Sequence, residues 1–461
     1  MVFSSLNFLF VFLPVVLLAH AVAPKRWKNP VLLVGSLWFY AWGEPVYVVL
    51  MALSIGYNYF TGLQIAGRKR SYRRKRALVA GVAVNLAVLG FFKYYGFAVD
   101  TLNGLLGLRL AKRTLALPIG ISFYTFQALS YVIDVYRGKV KPQRSLVDFA
   151  VYITMFPQLV AGPIVQYADI EKQLNDRGVS LQKFGQGAER LVQGLAKKVL
   201  LANNLGALHA AVQAMAGRSV LTAWLGAIAY AMQIYLDFSG YSDMAIGMGK
   251  MLGFTFLENF DYPYLSKSVT EFWRRWHISL SSWFRDYVYI PLGGNRVGRG
   301  RHVLNLLIVW MLTGLWHGAS WNFVLWGLYY GALLILEKYA LEKALEKLPG
   351  WAARLYTLLL VLVGWVIFSN TDFARLGAEL GGLVGVGASG FADAAFLYHL
   401  RSNLPLLLIA GIACTPALRT RLVKGMFDRP VLSAGITLLL FLASTAYLVY
   451  GSYNPFLYFR F

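Results

Sequence analysis

The sequence predicts an all-α polytopic membrane protein, and three observations carry that reading. Hydrophobic residues fill 58% of the 461 positions, with a mean hydropathy of +0.54, an apolar share above that of soluble domains. Apolar segments long enough to cross a bilayer recur from end to end. The cations behind the net charge of +23 gather between those segments, as the positive-inside rule expects of cytoplasmic loops. Membrane lipids, not nucleic acid, are therefore the partner this charge indicates, since no base-reading or stacking module accompanies it. The single cysteine, Cys414, lies in an apolar segment and suits packing. One cysteine excludes intrachain disulfides and thiolate metal sites, and no metal is expected.

Taken in order, Ser4–Ala23 is apolar and ends in a peptidase-like Ala21-Val22-Ala23, but its cations (Lys25, Arg26, Lys28) follow rather than precede it. That polarity predicts a retained helix with its N-terminus outside. Val31–Trp42 and Val46–Ala66 are the next spans, divided by Gly43-Glu44-Pro45. Seven cations in the nine residues Arg68–Arg76 mark the cytoplasm. Ala77–Phe97 leads out, and Leu115–Tyr136 leads back to a basic loop with Arg137, Lys139, Lys141 and Arg144. Phe149–Val165, interrupted by Pro157 and Gly162-Pro163, reads as a short or re-entrant element that needs protein around it. Asp169–Leu201 is amphipathic and is expected along the cytoplasmic interface.

Spans at Leu221–Leu236 and Met244–Leu257 flank the polar DFSGYSD stretch, Asp237–Asp243. A charge-balanced linker, Glu337–Lys347, precedes the span Trp351–Phe368 and a Gly-rich connection, Asn370–Arg401. Leu404–Ala417, the basic segment Arg419–Arg429 and the span Val431–Tyr450 complete the chain. The expectation is eleven or twelve spans, with re-entrant and interfacial helices, in one membrane domain over residues 1–461.

The chemistry concentrates between Phe272 and Leu336. Val303–Leu336 holds 34 residues without Asp, Glu, Lys or Arg. As one helix it would measure about 51 Å, against a bilayer core of about 30 Å, so it must break. Gly314 and Gly318 flank the expected break, with His317 inside it and Trp316 and Trp321 on either side. Ionisable groups at such depth are rare and usually functional. A desolvated imidazole stays neutral and can take a proton from a hydroxyl, with Ser320 and Asn322 as nearby donors; a structural histidine bonded between helices is the plainer alternative.

Thr270–Tyr287 fits one interfacial helix with two stripes. Trp273, Trp276, Leu280, Trp283 and Tyr287 form the aromatic stripe, and Arg274, His277, Ser281 and Arg285 the polar one. Glu271 and Arg275 can pair one turn apart. This face either anchors the protein at the headgroups or borders the mouth of a cavity, where its cations meet donor phosphates. Asp237, Asp243 and Asp286 sit near the ends of apolar segments and are candidates to orient a histidine or pair an arginine. HExxH and GxSxG motifs are absent.

Three stretches match a known family: YLDFSGYSDMAIGMGKMLGF, NFDYPYLSKSVTEFWRRWHISLSSWFRDYVYIPLGGNR and LTGLWHGASWNFVLWG. The chain resembles the membrane-bound O-acyltransferases (MBOAT family), and within them the bacterial branch of alginate O-acetylation. MVFSSLNFLF, LPIGISFYTFQALSYVIDVYRG, FPQLVAGPI and the closing YNPFLYFRF fit the same branch, so the similarity runs nearly end to end. The resemblance implies helices around a central tunnel, with residues 237–336 as the core motif region. It implies His317 as the essential histidine and His277 as the second; the residues around them, Arg274, Arg275, Trp276, Ser281, Arg285, Trp316 and Asn322, are candidates for donor binding or for lining a tunnel. It further implies a cytoplasmic acyl thioester donor such as acetyl-CoA, with no bound cofactor, and a polysaccharide acceptor beyond the bacterial inner membrane. An extracytoplasmic SGNH-like partner completes the expected system. Only the short basic linker Arg419–Arg429 stands where alginate enzymes are expected to carry a longer insertion, so the polymer stays open. The rival reading is a sugar or polysaccharide transporter with a histidine proton relay, although the inverted repeats of transporters are not evident.

Overall fold

The computed structural model describes residues 2–113, 115–160, 162–419, 429–451 and 457. The basic linker Arg419–Arg429 and the closing YNPFLYFRF motif lie almost wholly outside the described residues. Among those described the chain is helical with no strand. Seven of these helices are long and apolar enough to cross a membrane: Tyr47–Gly67, Ser71–Leu106, Val220–Met251, Trp321–Lys347, Gly350–Ser369, Ala394–Ala413 and Pro430–Tyr450. The protein is an all-α multi-pass membrane protein. Two other segments expected as spans, Val31–Trp42 and Leu115–Tyr136, correspond to helices of 16 and 17 residues, Lys28–Gly43 and Ile121–Arg137. Backbone proximity divides the chain into two compact units, Met1–Leu191 with Ser242–Leu257, and Val192–Tyr241 with Glu258–Phe461.

In the first unit a π-helical turn, Phe8–Phe12, continues into the helix Leu13–Val22. Phe3, Phe8 and Phe12 pack with Phe39 and Phe156, ring centroids 4.9–6.2 Å apart. This cluster holds the element expected to be broken at Pro157: the helix Leu146–Thr154 stops, and a single buried turn, Phe156–Leu159, follows. The buried amides of Asn58 and Asn85 donate to each other's oxygens over 3.1 and 2.7 Å, joining the helices Tyr47–Gly67 and Ser71–Leu106 where no water competes.

Two expectations need correction. The DFSGYSD stretch does not connect two spans; it lies inside the single helix Val220–Met251. Asp237, Ser239, Ser242 and Asp243 are all buried there, and both carboxylates have cationic partners, so the helix has no reason to open. Likewise Asp169–Leu201 is not one continuous amphipathic element: most of its first part belongs to the short helix Tyr167–Asn175, and the rest opens a longer helical run. Leu181–Ala196 runs through a π-helical stretch, Lys197–Ala202, into Asn203–Gln213. Its apolar face meets protein. A Cβ on Gly187 would lie 2.6 Å from the Gly247 carbonyl oxygen in the first unit, and one on Gly240 would lie 2.7 Å from that of Gly194 in the second. Small residues at these points admit the close backbone approach typical of membrane helices.

The second unit is built on aromatic packing. Trp273, Trp276, Trp310, Trp326, Tyr330 and Trp365 form its buried centre with Phe272 and Phe368. Aromatic pairs at these separations add to burial through edge-to-face attraction, and they give the site below a rigid, dry wall.

Candidate active site

The uncharged stretch breaks as its length requires. The helix Arg299–His317 ends on the histidine, three residues turn, and Trp321–Leu336 runs back. Gly314 and Gly327 make the hairpin tight: a Cβ on either would collide with the Phe323 or Trp310 carbonyl oxygen of the opposite helix. Asn322 Nδ2 donates to the carbonyls of Phe368 (3.2 Å) and Ile367 (3.4 Å). That pins the end of the helix Gly350–Ser369 beside the turn and brings Phe368 over the histidine. The His317 ring consequently sits among Trp326, Trp316 and Phe368, edge-on to each, at 5.0, 5.2 and 5.3 Å. It is 6% exposed. Trp321, expected to bracket it, is instead half exposed, because it opens the return helix on its outer side.

His277 reaches the same place by another route. Thr270–Tyr287 is not one interfacial helix: Val269–Arg275 stops, Trp276 is extended, and Ile278–Phe284 begins anew. His277 takes φ 44°, ψ 55°, the left-handed region, which is uncommon for a residue with a Cβ and concentrates at functional sites. The two expected stripes thereby dissolve, and His277 turns inward to 1% exposure. Its ring lies 5.9 Å from Trp316 and 4.7 Å from Phe238. Trp316 therefore touches both imidazoles.

Asn259 decides how His277 presents itself. Its Oδ1 accepts from His277 Nδ1 at 3.2 Å, from the Ser279 backbone N–H at 3.2 Å and from Ser279 Oγ at 2.9 Å. An amide oxygen only accepts, so Nδ1 carries the proton and Nε2 presents its lone pair. Nε2 is buried with no hydrogen-bond partner among the described residues. Burial pushes the imidazole pKa down to about 3, so the ring is neutral at physiological pH.

The remaining expected site residues disperse. Arg274 is exposed, with no ion pair among the described residues. Arg275 bonds Glu271 at 2.9 Å and Asp261 at 3.2 Å, and Arg285 bonds Asp286 at 2.8 Å; these two are engaged in fastening the surface. Trp276 is core, 4.7 Å from Trp365, and Ser281 Oγ donates to the Trp273 carbonyl at 3.3 Å. Asp237 pairs with the equally buried Lys198 at 2.8 Å, and Asp243 with Arg190 at 2.6 Å. The three carboxylates thus pair cations, and an amide orients the histidine.

Sequence reasoning passed over Asn259 and Glu337. Asn259 opens one of the long motifs, but nothing local marks an amide as a histidine's partner. Glu337, read as the start of a linker, is 3% exposed. Its carboxylate accepts from the backbone N–H of Val269 (2.7 Å) and Thr270 (2.8 Å) and from Thr270 Oγ1 (2.6 Å). It caps the helix that leads to His277 from the end of the helix that leaves His317.

The family model for "MBOAT, membrane-bound O-acyltransferase family" matches residues 135–344, which contain both histidines, Asn259 and Glu337. A probable alginate O-acetylase of Pseudomonas putida is 42% identical across the whole of both chains. Another, of Azotobacter vinelandii, is 48% identical over 81% of this chain and 76% of its own. A peptidoglycan O-acetyltransferase of Helicobacter pylori is 33% identical over 84% of this chain and 80% of its own.

Proposed function

Because the chain belongs to the membrane-bound O-acyltransferase family and is an O-acyltransferase acting on cell-envelope polymers, we propose that His317 is its general base, assisted by His277. The observation that carries this assignment is the pair of imidazoles on either side of Trp316, each nearly sealed from water within apolar rings. In such a setting a neutral imidazole removes the proton of an acceptor hydroxyl. The oxygen then attacks the thioester carbonyl, the carbon–sulfur bond breaks, and the imidazolium returns its proton to the leaving thiolate. Excluding water protects the thioester from hydrolysis.

The donor is an acyl thioester from the cytoplasm, acetyl-CoA in this reading, and the acyl group crosses the bacterial inner membrane by a tunnel to an extracytoplasmic acceptor. The names of the relatives favour O-acetylation of a polysaccharide such as alginate, with an SGNH-like acetyltransferase partner on the far side. His277, with Nε2 unprotonated, serves as the second base, and the exposed Arg274 is a cation that donor phosphates can meet.

His317→Ala in membrane vesicles is the direct test. Acetylation supported by acetyl-CoA should disappear while the protein inserts at its normal level; unchanged acetylation would remove His317 from the mechanism. Thioester consumption by the unaltered protein separates this reading from that of a transporter, which needs no acyl donor.

A further inference from the structure

Three helices of the first unit meet at a basic rim. Tyr47–Gly67 stops where the run Arg68–Arg76 begins, Ser71–Leu106 starts within that run, and Ile121–Arg137 ends on the second basic loop. Arg74 ties the two loops together: its Nη2 donates to the Tyr136 carbonyl at 2.9 Å, and its guanidinium lies 5.5 Å from the Tyr136 ring. Tyr59 Oη donates to the Arg144 carbonyl at 2.6 Å, which holds the far end of the second loop against the first helix. Close packing fixes the arrangement. A Cβ on Gly62 would lie 2.6 Å from the Tyr131 ring, and one on Gly81 would lie 2.8 Å from the Thr61 side chain.

The rim carries little counter-charge. Neither Arg68–Arg76 nor Arg137–Arg144 contains an acidic residue. Lys139 of the second loop pairs with Asp134 at 3.2 Å, and elsewhere in the unit Lys25 pairs with Asp176 at 2.9 Å and Lys112 with Asp100. The seven cations of Arg68–Arg76 pair with no carboxylate among the described residues. Its arginines bond neutral acceptors instead, Arg68 with Gln64 Oε1 and Arg73 with Tyr72 Oη, both at 3.0 Å. Arg73 and Arg76 stand one helical turn apart, where like charges repel. Setting a topology requires cations near helix ends but not their crowding without compensation, and that crowding is a cost a bound anion removes.

An apolar track continues from these cations. Tyr72, Arg76, Val79, Ala83 and Leu86 follow one another at four- and three-residue steps, so they share one face of Ser71–Leu106, and all five are exposed. Phe60 is exposed on the neighbouring helix. Of the most apolar 18-residue stretch of Ser71–Leu106, 22% is buried, against 72% for Val220–Met251, so its outer face meets lipid chains. A tyrosine and an arginine at the head of an apolar track match both parts of a phospholipid, phosphate on the cations and acyl chains along Val79 and Leu86. A free phosphate would use the first part alone.

We propose that this rim binds an anionic phospholipid by its headgroup, with Arg73, Lys75 and Arg76 as the phosphate-binding cations. The site is separate from the acyl-transfer chemistry and is tested without turnover. The full-length protein in neutral detergent is titrated with phosphatidylglycerol or with phosphatidylethanolamine of identical chains, and bound lipid is counted by native mass spectrometry. Phosphatidylglycerol should bind about tenfold more tightly, at about fivefold per cation reached, and the margin should shrink at high salt. Arg73→Gln/Lys75→Gln/Arg76→Gln should lose most of that preference. Lys343→Gln/Lys347→Gln, which lowers the net charge elsewhere, should keep it. Equal binding of the two lipids, or an unchanged preference in the triple variant, overturns the proposal. Inorganic pyrophosphate at matched concentration should leave most of the lipid bound; full displacement would assign the cations to a free anion and overturn the lipid. Thermal unfolding checks the fold of the triple variant: its midpoint without lipid should match that of the unaltered protein, and phosphatidylglycerol should raise the midpoint of the unaltered protein alone. An equal rise in both also overturns the proposal.

Discussion

Asn259 Oδ1 and His277 Nδ1 lie 3.2 Å apart, and this contact sets which nitrogen of a buried, strained histidine carries the proton. A neighbouring carboxylate would also stabilise the imidazolium, whereas an amide holds the ring without favouring its charge. The chain has placed an amide there, and its carboxylates elsewhere.

Asn259→Leu should therefore lower kcat by about ten- to a hundredfold, within the range seen for residues that orient a catalytic base. The thioester half-saturation should change little. Asn259→Asp should keep the geometry and move the acid limb of the pH–rate profile upward, because the carboxylate raises the imidazole pKa. A profile identical to that of the unaltered protein would show that the contact is only structural.

Arg274 and Arg275 are adjacent in sequence and opposite in use. Arg274 is exposed, whereas Arg275 is tied to Glu271 and Asp261. Arg274→Ala should raise the half-saturating acetyl-CoA concentration by about three- to tenfold, with the effect shrinking at high salt. Arg275→Ala should alter protein yield more than donor use. Equal kinetic effects from the two variants would mean that neither meets the donor phosphates.

Lys198 and Asp237 are each 2% exposed and 2.8 Å apart. Lys198 Nζ also bonds Asn203 Oδ1 at 2.8 Å, and Asp237 Oδ2 accepts the Leu457 N–H at 2.9 Å. Removing one partner strands a buried charge, so Lys198→Met should destabilise the protein by about 3–5 kcal/mol. Adding Asp237→Leu should recover much of that loss, as measured by thermal unfolding in detergent. Additive losses in the double variant would indicate that the two charges act separately.

Glu337 fastens the first turn of Val269–Arg275. Glu337→Ala leaves two backbone N–H groups and a hydroxyl without their charged acceptor, a loss of about 2 kcal/mol. Activity should fall with stability, since that helix sets the position of His277, and Glu337→Gln should recover part of both. A fully stable but inactive Glu337→Ala protein would instead point to a direct role for the carboxylate.

Sequence alone determined the membrane class, because apolar segments and the placement of cations are properties of composition along the chain. It also determined the break at His317, because 34 uncharged residues exceed the thickness of a bilayer as one helix. Tertiary structure decided what periodicity misreported. The Thr270–Tyr287 pattern has good helical spacing, yet the chain turns at His277, where packing among Trp316, Phe238 and Asn259 outweighs the cost of a left-handed residue. DFSGYSD reads as a loop because isolated carboxylates interrupt an apolar run; Lys198 and Arg190, about forty to fifty positions away, neutralise them and keep the helix whole. Asn259 meets His277 and Ser279, 18 to 20 positions on, and Glu337 meets Val269 and Thr270, 67 to 68 positions back. Hydrogen bonds between distant residues leave no local signature, so the roles of these two could be read only from the folded chain.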